Sequence, residues 1–235
     1  MSNIYKEIDN ALEKHDGKLP VVEIFYSIEG EGKRAGFPTV FIRLAGCNLR
    51  CKYCDTKYAF DLNSPEIFWM DIDEIVSEVM KYKCENVTIT GGEPLLYQIY
   101  ITRMIKYMTH LKPDIEVNIE TNGTITPLYV LMNMENVFIT ADQKCPCSGY
   151  DEVVPYLSDL REQDVLKFVV ADEVDLAFMK KVLIKHKVKA QIFMHPVFGA
   201  DLQKLAEFIK QNNYLNIRLG IQLHKVIWKP NERGV

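Results

Sequence analysis

Between Asn86 and Leu223 the chain alternates short β-branched runs with helical stretches of about 10–15 residues, and this rhythm most constrains its fold. Strands are expected at Asn86–Thr90, Ile115–Thr121, Val137–Thr140, Leu166–Ala171, Gln191–Met194 and Ile217–Leu223. Helices are expected at Tyr97–Leu111, Glu173–His186 and Leu202–Asn212, the second with Leu176, Met179, Lys180 and Leu183 at helical spacing. Upstream, Val21–Tyr26 and Thr39–Leu44 also read as strands. Asp71 with Glu74 forms a capping box opening a helix to about Tyr82. Strands joined through helices pair in parallel. About six such units are too few to close an eight-stranded ring, so the expected fold class is α/β, a partial, open parallel βα barrel. Residues 1–18 read as an N-terminal extension with Ile4, Ile8, Ala11 and Leu12 on one face. Residues 19–235 read as a single domain.

In such folds ligands bind at the carboxyl ends of strands, and the sequence concentrates its unusual residues there. The strand at Asn86–Thr90 runs directly into Gly91-Gly92-Glu93-Pro94. The strand at Thr39–Leu44 leads to Gly46, then Cys47, Cys51 and Cys54 in C-x3-C-x2-C spacing. Three thiols on one short loop can turn toward one centre. A closed structural zinc site or an electron-transfer [4Fe–4S] cluster takes four ligands, so a three-thiol iron site leaves one iron open to a small molecule. Half a zinc site completed by Cys145 or Cys147, and simple reduced thiols, remain alternative readings. Ser27-Ile28-Glu29-Gly30-Glu31-Gly32, between the first two strands, is either a solvated turn or a pocket loop whose carboxylates accept from N–H donors.

Composition narrows the partners. The formal net charge is −4 and the densest basic run, Lys180 to Lys189, has the spacing of a solvated helix face, so no nucleic acid is expected. No apolar run reaches roughly 18 residues, so no membrane span is expected, and the polar start of the chain does not read as a secretory signal. Six cysteines then point to metal or redox chemistry in the cytoplasm rather than disulfides.

The cysteine spacing, with Tyr53 just before its last thiol, resembles the signature of the radical S-adenosylmethionine (SAM) enzymes. Gly91-Gly92-Glu93-Pro94 resembles their motif that meets the SAM amino group. The flanks Glu23–Gly32, Phe41–Leu49, Cys54-Asp55-Thr56, Glu120-Thr121-Asn122-Gly123 and Gln222-Leu223-His224-Lys225 resemble the 7-carboxy-7-deazaguanine synthase family from about residue 20 onwards. That resemblance implies ring contraction of 6-carboxy-5,6,7,8-tetrahydropterin to 7-carboxy-7-deazaguanine with loss of ammonia, on the way to queuosine and other 7-deazapurines. A 5′-deoxyadenosyl radical takes hydrogen from substrate C6 and later returns it.

The resemblance further implies a [4Fe-4S] cluster on Cys47, Cys51 and Cys54, and Mg2+ near Thr56. Ile28, Glu29, Gly30, Glu31, Arg43, Thr90, His224 and Val235 fall on the substrate side. Tyr53, Gly92, Glu93, Asp142, Gln143, Lys144, His195, Pro196, Val197 and Phe198 fall on the SAM side. An electron donor such as flavodoxin and a homodimer are expected. On the residues alone, Thr56 could simply cap a turn, Arg43 could pair with Glu31, and His195 could be a strand-end histidine. Two departures stand out: Glu29 where the family commonly has Gln, and a longer tail from Trp228 to Val235. A glycyl-radical-type activating enzyme is the competing reading, separated by whether SAM cleavage depends on a pterin. A zinc scaffold is another, separated by visible absorption.

Overall fold

The computed structural model describes residues 2–229 and 232–235, with the side chains of Ser2 and Tyr214 outside that description. Pro230 and Asn231, within the long tail noted above, lie outside the described residues. In chain order the elements are α1 (Ser2–Lys14), β1 (Leu19–Ile28), β2 (Pro38–Leu44), β3 (Phe68–Met70), α2 (Ile72–Met80), β4 (Asn86–Gly91), α3 (Gln98–Leu111), β5 (Glu116–Thr121), α4 (Tyr129–Met132), β6 (Val137–Gln143), β7 (Val165–Val170), α5 (Glu173–Lys185), β8 (Gln191–Pro196), α6 (Leu202–Gln211), β9 (Ile217–Leu219) and α7 (Leu223–Ile227).

One nine-stranded sheet runs in the order β3-β1-β2-β4-β5-β6-β7-β8-β9. From β2 to β9 every neighbouring pair is parallel. The two ladders made by β1 are antiparallel. This is the open α/β barrel expected from the alternation, extended by an antiparallel margin. A short loop joins β1 to β2, which allows only antiparallel pairing, whereas the long connection from β6 to β7 crosses over without an α-helix and returns parallel. β3, three residues long, falls below what alternation can signal.

The strand interiors and the helix undersides form one core. Ile42, Ile89, Ile119, Ile139 and Phe168 come from strands, and Ile75, Ile101, Met104, Met108 and Met179 from helices. Burying such a side chain contributes about 1.5–3 kcal/mol. α2 begins at the expected capping box: Asp71 accepts from the Glu74 amide, and Glu74 accepts from the Asp71 amide. α1 packs on the same core, with Ile8 buried and Ile4 and Leu12 against it.

The last strand ends earlier than its β-rich sequence suggests, at Leu219 rather than Leu223. At Gly220 an added Cβ would lie 2.2 Å from His195 Nε2, so the chain presses onto that ring and leaves the sheet. α7 follows. Registers matter for function: Arg43 faces Thr90 across β2 and β4, and Asp142 faces Lys167 across β6 and β7. Polar side chains thus collect near the carboxyl ends of neighbouring strands.

Candidate active site

The cysteine loop leaves β2 and is fixed by backbone hydrogen bonds. Ala45 N donates to Pro20 O, Gly46 N to Ala59 O, and Lys52 N to Ser148 O. Arg50 N donates to the Tyr150 hydroxyl. Cys47, Cys51 and Cys54 all line one cavity of about 540 Å³, within the usual range for small-molecule sites. Among the described residues no three metal-ligating side chains are already gathered around one point. All three thiols line the one cavity, and it is these that would hold an iron centre.

The donor chemistry fits such a centre. Cys47 Sγ accepts from Leu49 N at 3.4 Å and is 3.9 Å from Asn122 Nδ2, and N–H groups on sulfur are among the features that tune Fe–S potentials. Burial pushes the Cys47 thiol up to about 11 and raises Cys51 and Cys54, with Lys144 pulling the latter two back. A coordinating metal deprotonates thiols.

The two glycines after β4 let two loops touch. A Cβ on Gly92 would stand 2.1 Å from Gly46 O, so only glycine permits this approach to the cysteine loop. Glu93 turns away from the cavity. Its fully buried carboxylate accepts from Leu95 N, Asn122 N and the Thr121 hydroxyl, and burial raises it to about 7. Glu93 therefore shapes the cavity wall from behind, tying the Gly-Gly turn to the end of β5.

The cavity floor carries the pocket loop predicted after β1. Glu29 is 2% exposed, accepts from the Thr88 hydroxyl at 2.6 Å and lies 3.7 Å from Arg34. Burial, with Glu120 adding repulsion, pushes it up to about 8. Glu31 accepts from Lys167 Nζ at 2.6 Å and Gln222 Nε2 at 2.6 Å. Burial works to raise it, but Lys167, His195 and Gln222 together hold it below the usual carboxylate range.

Lys167 also meets Asp142 at 2.9 Å, and Asp142 meets Lys144 at 2.6 Å. Burial opposes the charge on Asp142, and the two ammonium groups overcome it. Gly30 admits His224, whose Nδ1 would be 2.4 Å from an added Cβ. Arg43 pairs with Glu23 at 2.6 Å rather than with Glu31, and the Tyr58 hydroxyl donates to the same Glu23 oxygen.

The cavity brings together nearly every residue singled out in the sequence. On its wall are Ile28, Glu29, Gly30, Glu31, Arg43, Tyr53, Thr56, Thr90, Gly92, Asp142, Lys144, Pro196, Val197, Phe198, His224 and Val235, with the three cysteines. Thr56 donates to Asp55, which pairs with Lys225. Glu93, Gln143 and His195 are not on the wall. Gln143 is buried and braces the following segment through Glu152 O and Val154 N. His195 is 1% exposed, with neither ring nitrogen hydrogen-bonded among the described residues.

Cys145 and Cys147 also stand outside the wall, their thiols near Gln143 O and Val169 O. Sequence reading missed Lys167, Glu120, Asn122, Asp55 and Arg233, all on the wall. Glu120 and Asn122 had a signal, since they end a predicted strand. Lys167 had none, as one lysine inside an apolar strand is commonly solvent-facing on an edge.

Known proteins resemble this chain over most of its length. The radical SAM superfamily profile matches residues 41–138. A 7-carboxy-7-deazaguanine synthase from Methanospirillum hungatei is 41% identical over 212 residues, covering 90% of this chain and 86% of that protein. One from Clostridium acetobutylicum is 40% identical over 223 residues, covering 92% and 98%. The crystal structure of QueE from Escherichia coli shares the fold at a TM-score of 0.67 and 22% identity, covering 90% of this chain and 97% of that one. With this coverage and identity, the chain belongs to the 7-carboxy-7-deazaguanine synthase family of the radical SAM superfamily.

Proposed function

We propose that this cavity contracts 6-carboxy-5,6,7,8-tetrahydropterin to 7-carboxy-7-deazaguanine with release of ammonia, in the biosynthesis of queuosine and related 7-deazapurines. The observation that carries the reading is the meeting of the three-thiol loop with Glu31, Arg43 and Thr90 in one cavity, in a chain similar over nine-tenths of its length to a synthase of that name. The same similarity disfavours a glycyl-radical-type activating enzyme.

Cys47, Cys51 and Cys54 hold the [4Fe-4S] cluster. Tyr53, Gly92, Asp142, Lys144, Pro196, Val197 and Phe198 face SAM, with Glu93, Gln143 and His195 supporting them from behind. When bound, the cluster and SAM supply one-electron chemistry and a hydrogen-abstracting radical. The residues of this chain bind, orient and keep water out.

Ile28, Glu29, Gly30, Glu31, Arg43, Thr90, His224 and Val235 form the substrate side. Carboxylates suit the N–H edge of a reduced pterin, and a guanidinium suits a carboxylate. The Thr56 hydroxyl takes part in holding Mg2+, a hard cation that keeps several waters beside few protein oxygens. An electron donor such as flavodoxin, a homodimeric state and a cytoplasmic location complete the reading.

Anaerobic turnover with 6-carboxytetrahydropterin, SAM and Mg2+, with products identified by mass, tests it. 7-Carboxy-7-deazaguanine and ammonia are the expected products. SAM cleavage with no pterin-derived product overturns the reading.

A further inference from the structure

Lys167 sits inside the barrel, on β7, and its ammonium touches two carboxylates from distant segments. One is Glu31 on the loop after β1, at 2.6 Å, and the other is Asp142 on β6, at 2.9 Å. Its side chain is 9% exposed, yet it lines the cavity. Neither carboxylate depends on Lys167 alone for a partner. Asp142 retains Lys144 at 2.6 Å, and Glu31 retains the Gln222 amide at 2.6 Å. Only for Glu31 is Lys167 the sole cation in salt-bridge contact among the described residues.

We propose that Lys167 is a positioning residue for the substrate: it holds the Glu31 carboxylate in one orientation, as a charged acceptor for the N–H edge of the pterin. The inference rests on the function proposed above. Geometry gives the reason. Glu31 has two oxygens, one held by Lys167 Nζ and one by Gln222 Nε2, so turning the carboxylate plane would break at least one of these bonds. Its remaining lone pairs have a fixed direction beside the cavity.

Charge gives a second reason. The groups acting on Glu31 are Lys167, His195, Glu29, Glu120, Asp55 and His224. The same cavity is lined by Asp142 and by the cations Arg43, Lys144, Lys225 and Arg233, the first three paired with Glu23, Asp142 and Asp55. Glu29, Glu120 and Asp55 are acids. His195 and His224 are both pushed by burial toward the neutral form. Removing Lys167 takes away the largest of the charges that lower Glu31, leaving His195 and the Gln222 amide against burial and the acids, so Glu31 takes up its proton at a higher pH than in wild type.

The test uses 6-carboxypterin, a stable oxidised analogue, bound to the SAM-loaded holoenzyme under anaerobic conditions, with fluorescence as the readout. Lys167→Met, which keeps the length of the stem, is expected to weaken binding roughly ten- to a hundredfold at neutral pH. The loss should deepen as pH is lowered, because Glu31 without Lys167 protonates at a higher pH than in wild type and so loses its charged acceptor first. Glu31→Gln should bind weakly at every pH, and Lys167→Met added to Glu31→Gln should cost little more, since both act through one group. Lys167→Arg should recover part of the affinity.

A merely structural lysine would lower thermal stability without giving this pH slope, and its effect would add to that of Glu31→Gln. Additive losses, or a Lys167→Met profile parallel to wild type, would overturn the proposal. Failure of wild-type holoenzyme to bind the pterin at any pH would instead sink the proposed function itself.

Discussion

The Arg233 guanidinium lies over the Tyr58 ring, 3.6 Å from its centre, and also meets Glu66 at 2.8 Å. Tyr58 and Glu66 belong to the segment after the cysteines, and Arg233 to the C-terminal end, so the two contacts fasten the tail over the cavity that Gly234 and Val235 line. A half-exposed cation–ring contact is worth about 0.5–1 kcal/mol, and the exposed ion pair adds little. Arg233→Ala should therefore raise the pterin KM by roughly two- to fivefold and speed proteolytic trimming of the C-terminus. SAM cleavage in the absence of pterin should not change. An unaltered KM together with unaltered trimming would separate the tail from substrate binding.

The cysteines divide into two groups by position. Cys47, Cys51 and Cys54 share the cavity wall, whereas Cys84 lies against Pro38 O and Cys145 is fully buried beside Gln143 O. Replacing any of the first three by Ala should abolish the visible Fe–S absorption and turnover. Cys84→Ala and Cys145→Ala should each retain about four irons per chain, as a single [4Fe–4S] cluster requires. Iron and sulfide analysis after anaerobic reconstitution checks this. A requirement for Cys145 equal to that for Cys54 would refute the three-thiol assignment.

What could be read from the sequence follows from which signals are local. Strand-end motifs are local: paired glycines are rare inside strands and three thiols at C-x3-C-x2-C spacing sit within eight residues, so Gly92 and the cysteine loop were legible. The open parallel sheet was legible from the alternation beyond Asn86. Partners across the barrel were not. Lys167 and Glu31 are 136 residues apart, and nothing near either one names the other. Arg43 could be placed near the cysteine loop, but the only partner the residues alone suggested was Glu31, since charge without register does not single out Glu23. The register of β1 on β2, Glu23 opposite Arg43, decides for Glu23. The end of β9 was missed for a similar reason: the ring of His195, packed on Gly220, stops it, while the residues beyond keep a β-rich pattern.

Glu29 gives a pH prediction with a definite sign. Its carboxyl is raised from the usual 4.5 to about 8, first by burial and then by Glu120. An acid raised on folding binds more protons folded than unfolded. Its stabilising contribution is present in full below 4.5 and is lost as pH climbs through about 8. Wild type should thus lose more stability than Glu29→Gln between about pH 5 and 8.5. Glu93 is raised in both proteins and cancels, while Glu120, relieved of its repulsion with Glu29, is raised less in Glu29→Gln, which widens the difference in the same direction. Urea unfolding at several pH values measures the difference, and parallel curves would show Glu29 to be ionised in the fold. Turnover by Glu29→Gln should stay near wild type at neutral pH, since an amide offers the donor and acceptor that a neutral acid offers.

Arg43 offers the sharpest separation between a pterin pocket and a general radical SAM core. It is the cavity-lining arginine carried by the sheet, and its Nε is taken by Glu23 at 2.6 Å. No hydrogen bond is formed by its two terminal nitrogens among the described residues, and these can fork onto a carboxylate. Arg43→Ala removes that fork, and Glu23 keeps the Tyr58 hydroxyl at 3.0 Å, so the wall is not left with an unpartnered carboxylate. Losing one charged hydrogen-bond partner in a closed site costs about 1.5–3 kcal/mol, or roughly ten- to a hundredfold in kcat/KM for the pterin. Arg43→Lys should fall between the two, because lysine keeps the charge but lacks the planar fork. The Fe–S spectrum and pterin-independent SAM cleavage should match wild type in both variants, because Arg43 touches neither the cysteines nor Gly92. Full pterin turnover by Arg43→Ala, or loss of its cluster, would remove Arg43 from the substrate side of the cavity.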